Sequence, residues 1–166
     1  MVKKGKHFSN LKQLLETGYN AFQTLDAETM VSCYHENIVF EDPAFGVLKG
    51  DHAKNMWRML CESQKGKDFK INYSNIEAND LNGIAHWEAF YTFSKTGRKV
   101  HNVIDAHFEF KDGKIIKHTD VFDLYKWSKQ AFGLTGFLLG RTTFFKNKLN
   151  AQTNSLLSKF ENSLNQ

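Results

Sequence analysis

Hydrophobic residues recur at spacings of three and four over the first part of the chain, a pattern that predicts helices. The apolar stripe over residues 9–25 predicts a first helix, with Ser9 as its candidate N-cap. Two shorter helices are expected to follow, one capped by Asp26 and reaching Tyr34, the other capped by Asp51. The N-terminal region is therefore predicted to supply helices that cover another layer.

The period changes to two from Phe69 onwards, which predicts strands. Asn82-Gly83 is typical of a hairpin turn, and longer strands are expected over residues 84–94, 98–110 and 114–125. Helices followed by a run of antiparallel strands predict an α+β fold, in which the helices pack on one face of a curved sheet.

One early segment, Asn37–Gly46 (NIVFEDPAFG), combines a strand, a carboxylate and a stop signal. The strand is predicted to end at Asp42, because Pro43 has no N–H group to donate to a sheet. Apolar residues, Phe45 among them, follow directly. Two interpretations are open: the Asp42 carboxylate caps the turn, or its apolar surroundings tune it towards a general base.

The composition narrows the class of protein. A chain of 166 residues is long enough for one domain, and an aromatic content of 14% favours an aromatic-lined pocket or interface. The net charge of +4 and the lack of a recognised motif argue against nucleic-acid binding. Cys33 and Cys61 are expected to be buried free thiols, and no signal peptide is visible, so the predicted compartment is the cytoplasm.

The composition shifts in the last quarter of the chain. Residues 124–160 contain no Asp or Glu, and residues 133–140 are predicted to form a flexible apolar loop between two helices. We expect residues 126–166 to be a helical extension that packs on the open side of a domain spanning residues 1–125. A lid over a pocket, a dimer contact and a surface for anionic lipid are the alternatives.

Two segments carry a resemblance to a known family: YHENIVFEDPAFGVLKG and GRKVHNVIDAHFEFKDGKIIKHTDVFD. With the order of elements, they make residues 9–127 resemble the nuclear transport factor 2-like superfamily, in its SnoaL-like, ketosteroid isomerase-like and limonene epoxide hydrolase-like branch. The resemblance implies a cone-shaped, cystatin-like α+β barrel with a deep apolar pocket and a tendency to form homodimers. Members of this superfamily include isomerases, hydrolases, cyclases, dehydratases and non-enzymatic binders, so the fold alone does not assign an activity.

The resemblance transfers the ketosteroid isomerase residues only in part. The general base of that branch falls on Asp42, but the tyrosine donor falls on Gly18, one residue before Tyr19. The acidic donor falls on Ala106, next to Asp105, and on a strand one residue means the opposite face. Steroid isomerisation is therefore not predicted.

The limonene epoxide hydrolase branch places its two acidic positions on Glu88 and Asp120, and its arginine position on His86. The resemblance also directs His118 and Asp120 into the pocket. An acid, a His and a second acid can orient and deprotonate water, although a His in place of the Arg makes such a site sensitive to pH.

The alternation on the central strands leaves two arrangements open. Either His86 and Glu88 face the pocket, or Trp87 and Tyr91 do, in which case His86 and Glu88 belong to the surface or a dimer contact. A metal site is not predicted on the face shared by the following residues, which more simply form a polar surface: His101, Asp105, His107 and Glu109.

The sequence thus predicts a cofactor-independent proton-transfer enzyme of isomerase, hydratase/dehydratase or cyclase type, acting on a small hydrophobic oxygenated molecule. A non-catalytic binder and an interaction module that uses the C-terminal tail are the alternatives. The candidate catalytic residues are Asp42, Asp120, His118, His86 and Glu88. The candidate ligand-binding residues are Tyr19, Phe45, Trp57, Trp87, Tyr91, Asn102, Phe108 and Phe122.

Overall fold

The computed structural model describes the backbone of residues 4–166 and the side chains of residues 10–166. Helices precede and follow a set of strands in the described chain. In chain order the elements are α1 (Lys4–Gln23), α2 (Ala27–Ser32), β1 (Tyr34–Asp42), β2 (Gly46–Lys49), α3 (Asp51–Gln64), β3 (Lys70–Ala78), β4 (Asn82–Phe93), β5 (Arg98–Lys111), β6 (Lys114–Val121), α4 (Leu124–Phe132), α5 (Leu134–Leu139) and α6 (Thr143–Leu164).

The strands form one curved, open sheet in the order β2-β1-β6-β5-β4-β3. Strand β1 pairs in parallel with β6, and the other neighbouring strands pair antiparallel. The four-stranded meander β3 to β6 agrees with the period-two pattern of the sequence. The predicted α+β class is confirmed.

Alternation along the strands decides which side chains enter the core. On β5, Ile104, Ala106 and Phe108 are buried, while Asp105 and His107 between them are exposed. The buried set faces α1, α2 and α3, whose apolar stripes complete the main core cluster. We call this covered side the inner face of the sheet and the opposite side the outer face.

The C-terminal helices cover the remaining part of the inner face. Trp127 and Ala131 of α4 pack with Val100 of β5 and Leu149 of α6 in a second apolar cluster. On α6, Asn150 Nδ2 donates hydrogen bonds to the carbonyl oxygens of Pro43 (2.9 Å) and Ala44 (2.7 Å). The helix is thereby fixed to the turn that follows β1.

Several predicted helix boundaries were wrong. Helix α1 begins at Lys4, so Ser9 lies inside it and is not its N-cap. The N-cap of α3 is Gly50, and Asp51 is the first residue of the helix. Tyr34 belongs to β1 and not to the second helix, because the chain turns at the end of α2 and pairs with β6.

The strand and loop boundaries also need correction. The turn before β4 is made by Asn79, whose side chain accepts hydrogen bonds from the backbone N–H groups of Leu81 and Asn82, so Asn82-Gly83 already belongs to the strand. Strand β6 ends at Val121, because Asp123 caps α4. The segment 133–140 is not a flexible loop, since most of it forms α5.

Cys33 and Cys61 are free and buried, as the sequence predicts. Within residues 4–166, no helix is both long enough and apolar enough to cross a membrane.

Candidate functional site

A small cavity lies between the inner face of the sheet and helices α1, α2 and α3. Its volume is about 40 Å³, which is room for roughly three water molecules. The walls are mainly aromatic and aliphatic, and the polar side chains among them are few. The lining side chains with polar atoms include Tyr19, Tyr34, His118, Trp57 and Trp87, and Phe108 is one of the apolar rings.

A chain of hydrogen bonds runs from this cavity into the core. The Tyr34 hydroxyl lies 2.6 Å from His118 Nδ1, and His118 Nε2 lies 2.9 Å from Asp120 Oδ1. Trp87 Nε1–H donates to the same Asp120 oxygen at 3.2 Å. His118 and Asp120 are 5% and 3% exposed, so the chain is shielded from solvent.

The hydrogen bonds assign the protons along this chain. Asp120 Oδ1 accepts a hydrogen bond from Trp87 Nε1–H, and we assign the His118 proton to Nε2 so that it donates to the same carboxylate oxygen. Nδ1 is then an acceptor, and the Tyr34 hydroxyl donates to it. Asp120 thus holds His118 in the tautomer that can take a proton from Tyr34.

Aromatic packing fixes the His118 ring. The ring stacks on Trp57, with centroids 5.9 Å apart and planes 14° apart, and Phe40 meets it edge-on at 5.2 Å. The parallel register of β1 and β6 pairs Phe40 with His118, and this register also brings the start of β1 beside the same strand. Two residues apart on β6, His118 and Asp120 share the inner face.

Two buried donors of the cavity wall lack partners. The Tyr19 hydroxyl and the Trp57 indole N–H make no hydrogen bond of standard geometry among the residues that the structure describes, although the Trp57 N–H lies close enough to the Tyr34 hydroxyl to lower its pKa against the larger effect of burial. Burial raises the pKa values of Tyr19 and Tyr34 well above their ordinary value, and the nearby Asp120 charge adds to both increases. Both phenols are therefore neutral at rest, and Tyr19 and Trp57 can each donate to a bound oxygen.

Asp42 lies at the end of β1, outside the cavity lining. Its Oδ1 accepts hydrogen bonds from the backbone N–H groups of Ala44 (2.9 Å) and Phe45 (2.6 Å). Burial nevertheless raises the pKa of Asp42 to about 7, with a smaller contribution from the Asp120 charge. Asp42 therefore both caps the turn and carries a carboxyl group that exchanges its proton near neutral pH, so the two interpretations of the sequence are compatible.

Comparison with known families assigns this architecture. The family model described as the SnoaL-like domain matches residues 15–118, which is more than half of the chain. The chain belongs to the SnoaL-like domain family. The matched range of this SnoaL-like chain begins within α1 and ends in β6 at His118, so α4, α5 and α6 lie outside it.

Solved structures share the fold at low sequence identity. An LEH-like epoxide hydrolase from M. tuberculosis is 21% identical with a TM-score of 0.61, over 80% of this chain and 97% of the other. Bal32a, from a soil-derived mobile gene cassette, is 23% identical with a TM-score of 0.64, over 75% and 98%. A candidate polyketide cyclase from Xanthomonas campestris pv. campestris is 17% identical with a TM-score of 0.61, over 75% and 98%. No curated protein sequence matches the chain.

These structures are covered almost completely, whereas a fifth to a quarter of the SnoaL-like chain has no counterpart in them. At such identities the likeness concerns the fold. It supports the resemblance that the sequence carries, and it leaves the chemistry to be argued from the site.

The structure brings together five of the side chains that the sequence nominated. All five line the cavity: Tyr19, Trp57, Trp87, Phe108 and His118. Asp120 lies directly behind His118. The Tyr19 hydroxyl reaches this buried region although the count along the sequence places the family's tyrosine on Gly18, because Gly18 and Tyr19 both line the cavity.

Other nominated residues lie elsewhere. His86 and Glu88 are on the outer face, where His86 Nδ1 lies 2.8 Å from Asp105 Oδ1 and Glu88 contacts His101. The alternation on β4 sends Trp87 inwards and its two neighbours outwards, so a role for His86 and Glu88 inside this cavity does not fit the structure.

Four nominated ligand residues stand apart from the cavity. Phe45 is buried in the main core, and the Tyr91 hydroxyl accepts a hydrogen bond from Trp127 Nε1 at 2.8 Å. Phe122 packs between the two apolar clusters. Asn102 is half-buried on the inner side of β5, beyond the cavity lining.

Tyr34 is the functional candidate that sequence reasoning missed. The helical pattern predicts Tyr34 in the second helix, whereas the structure places it on β1 with its side chain buried. The alternation of Phe40 and Ile38 does not extend back to Tyr34, because Glu36 between them is exposed and the register of β1 against β6 shifts between Tyr34 and Val39. Among side chains 10–166, no group of three or more His, Cys, Asp or Glu residues is arranged to hold a metal ion.

Proposed function

We propose that this SnoaL-like chain is a cofactor-independent proton-transfer enzyme that acts on a small hydrophobic molecule carrying an oxygen. The observation that carries the proposal is the hydrogen-bond chain Tyr34–His118–Asp120, which ends at the cavity wall. An acid–base group in a mostly apolar cavity, held by a second and a third residue, is an arrangement suited to positioned proton transfer.

Each proton in the proposed reaction has a defined origin and destination. The Tyr34 oxygen takes a proton from the substrate carbon next to a carbonyl group, while the Tyr34 hydroxyl proton moves to His118 Nδ1. The resulting imidazolium is stabilised by the Asp120 carboxylate through Nε2–H. Return of a proton from Tyr34 to the same carbon gives exchange, and return to a neighbouring carbon gives isomerisation. Where the neighbouring carbon carries a leaving group, the enolate electrons form the C=C bond, the bond to that group breaks, and the group takes the proton.

The unpartnered donors supply the second requirement of this chemistry. When a proton leaves carbon, negative charge develops on the carbonyl oxygen of the substrate. The Tyr19 O–H and the Trp57 N–H, both buried without partners, are suited to donate to that oxygen. A site built to pair such donors also discriminates against ligands that lack the oxygen.

The size of the cavity limits the substrate. A volume of about 40 Å³ is well below the roughly 300 Å³ of a drug-sized pocket, so a ligand must be small or must displace aromatic side chains. Two structural neighbours, an epoxide hydrolase and a candidate polyketide cyclase, support an oxygen-bearing substrate class.

A second candidate function is the binding of a small apolar molecule without turnover. The observation that favours it is the same small, mostly apolar cavity. In that case Tyr34, His118 and Asp120 form a structural network, and the unpartnered donors still hold the ligand oxygen.

The exchange of the α-hydrogens of cyclopentanone in D₂O, followed by ¹H NMR, tests the enzyme proposal. The wild type is expected to accelerate the exchange, and Tyr34→Phe to slow it by about 10²- to 10⁴-fold, because the ring stays while the acid–base oxygen is lost. Tyr125→Phe is the matched control, since the Tyr125 hydroxyl bonds the Phe137 carbonyl oxygen outside the cavity lining.

The indole N–H resonance of Trp57 reports binding in the same samples. A shift of that resonance without accelerated exchange supports the binder in place of the enzyme. Equal exchange rates for the wild type and Tyr34→Phe would contradict the role of Tyr34. No shift and no exchange would rule out small ketones as the ligand class.

A further inference from the structure

Helix α5 presents large apolar side chains to solvent. The exposed fractions are 72% for Leu134, 57% for Phe137 and 64% for Leu138. The spacing i, i+3, i+4 places the three on one face of the helix, and we call them the α5 ridge. Scattered exposed apolar residues are ordinary, but three on a single helical face form a contiguous patch of the kind that binds a partner surface.

The opposite face of α5 fixes the ridge in this orientation. Gly136 and Gly140 press against Ser128 of α4 so closely that an added Cβ would lie 1.9 Å from Ser128 O and 2.0 Å from Ser128 Oγ. Ser128 is fully buried, and its hydroxyl donates to the Tyr125 carbonyl oxygen at 2.8 Å. The two glycines therefore hold α5 against α4, and the ridge is left facing outwards.

Cations flank the ridge on its α4 side. Lys129 Nζ lies 4.6 Å and Arg141 Cζ 4.2 Å from the centroid of the Tyr125 ring. The Tyr125 hydroxyl in turn donates to the Phe137 carbonyl oxygen at 3.2 Å, which ties both cations to the ridge. Residues 124–160 contain no Asp or Glu, so this region carries positive charge alone.

We propose that the α5 ridge is a docking site for an anionic membrane surface. The apolar side chains would enter the boundary between headgroups and acyl chains, Tyr125 would lie at headgroup level, and Lys129 and Arg141 would meet lipid phosphates. Apolar and aromatic residues beside Lys and Arg, with acidic residues absent, are the composition of segments that bind in the plane of such a surface.

The charge distribution argues against a second copy of the chain as the occupant. A symmetric contact through the ridge would bring the cations of both copies, two Lys129 and two Arg141, into one interface without an acidic residue of 124–160 to pair with them, and like charges across an interface disfavour association. A neutral membrane would leave the same cations without partners. Anionic lipid satisfies both features of the surface at once.

Flotation of the full chain with vesicles tests the proposal. Vesicles of phosphatidylcholine alone are compared with an equal mixture of phosphatidylcholine and phosphatidylglycerol, at low and high salt. The wild type is expected to float with the mixture, to be released by salt, and not to float with phosphatidylcholine alone. The double variant Phe137→Ser/Leu138→Ser is expected to bind the mixed vesicles at least about tenfold more weakly than the wild type, because two exposed apolar side chains are lost.

Matched controls separate the ridge from general stickiness and general charge. Leu81→Ser replaces an exposed leucine outside the C-terminal region. Lys67→Glu reverses the charge of an exposed lysine that also lies outside it. Both are expected to float like the wild type, whereas Lys129→Glu/Arg141→Glu is expected to lose binding. Thermal unfolding followed by circular dichroism confirms that each variant is folded.

Several outcomes would overturn the proposal. Failure of the wild type to float with anionic vesicles is one, and flotation of the serine double variant at wild-type strength is another. A third is a dimer, measured by light scattering, that dissociates only in the serine double variant, since the ridge would then be a protomer contact. Tyr34→Phe is expected to float normally, so the outcome is independent of the enzyme proposal.

Discussion

On the inner face of the sheet, His118 and Asp120 form a pair enclosed by aromatic rings, whereas on the outer face His86 pairs with Asp105 beside solvent. The two His–carboxylate distances are nearly equal, 2.9 Å inside and 2.8 Å outside. The surroundings differ: the Asp120 side chain is 3% exposed and that of Asp105 is 70% exposed. Side-chain type and contact distance therefore do not separate a candidate reaction centre from an ordinary surface pair.

Connection to other groups separates them. The inner pair is extended by Tyr34 on one side and by Trp87 on the other, so both nitrogens of His118 and Oδ1 of Asp120 are hydrogen-bonded. The outer pair continues through Glu88 to His101, but water can replace any of these contacts. Low dielectric surroundings strengthen a satisfied network and penalise a broken one, so the same substitution should cost far more inside than outside.

Removing the inner carboxylate is expected to have the largest effect. Asp120→Ala leaves the N–H groups of His118 and Trp87 buried without an acceptor, and we expect the free energy of unfolding to fall by about 3 to 5 kcal/mol. Urea unfolding at neutral pH measures the change. The Ala variant is expected to lose the proposed exchange activity as well.

Asp120→Asn is the matched control for that prediction. Its amide oxygen can still accept from both N–H groups, while the charge is gone. We expect it to recover most of the lost stability but little of the activity, because a neutral amide cannot stabilise an imidazolium. Equal losses for Ala and Asn would contradict the view that the missing acceptor, and not the missing charge, destabilises the fold.

The fold was largely predictable, because periodicity reports which face of an element is buried. The period of two on β5 separates Ile104 and Phe108 from Asp105 and His107 as the structure does. Boundaries were less predictable, since they depend on contacts remote in sequence. Tyr34 illustrates this: nothing in its neighbours fixes a strand, and its pairing with Ile115 of β6 does.

The site was predictable in composition and not in geometry. Alternation on β4 grouped His86 with Glu88 and Trp87 with Tyr91, but a period of two does not state which group faces inwards. The burial of Trp87 against Tyr19 and Phe22 of α1 decides it. The raised pKa of Asp42 was foreseen in direction, because an apolar turn follows it directly.

Asp42 sharpens the comparison, as a half-buried carboxyl group that makes no hydrogen bond to a His. Its pKa rises from 3.8 to about 7 on folding, so between these values the folded protein holds a proton that the unfolded chain has lost. The free energy of unfolding should therefore fall as the pH rises through this window and level off above it. This difference between the unfolded and folded pKa limits the change in the free energy of unfolding to about 4 kcal/mol. Because Asp42 is partly exposed, we expect a change of about 2 kcal/mol.

Asp42→Asn tests that dependence. Its amide oxygen can still accept from Ala44 and Phe45, so the turn is kept while the titration is removed. Urea unfolding across the window should show a flatter pH profile for Asp42→Asn and a gain of about 2 kcal/mol over the wild type above the window. Asp80→Asn, at an exposed position, should follow the wild type. Parallel profiles for Asp42→Asn and the wild type would contradict the raised pKa.

Tyr34→Phe isolates a single bond of the inner network. The substitution keeps the ring but leaves His118 Nδ1 without its donor, so we expect a loss of about 1 kcal/mol in the free energy of unfolding. Tyr125→Phe, which loses a hydrogen bond near the surface, should change stability by less. A larger loss in Tyr125→Phe than in Tyr34→Phe would show that the inner network is loosely held.

Glu88→Gln makes the smallest change, on the outer face. Glu88 lies between His86 and His101, but the His86 contact is 3.8 Å long and both neighbours remain accessible to water. Exposed ion pairs contribute little, so the free energy of unfolding should change by less than about 0.5 kcal/mol, with a dependence on salt that the inner variants lack. Urea unfolding at low and high salt measures it, and repeating it at two protein concentrations tests the premise that the face is free. A loss of unfolding free energy as large as that of Asp120→Ala, and growing with protein concentration, would mean that a second copy covers the outer pair. The contrast between the two faces would then hold for the monomer alone.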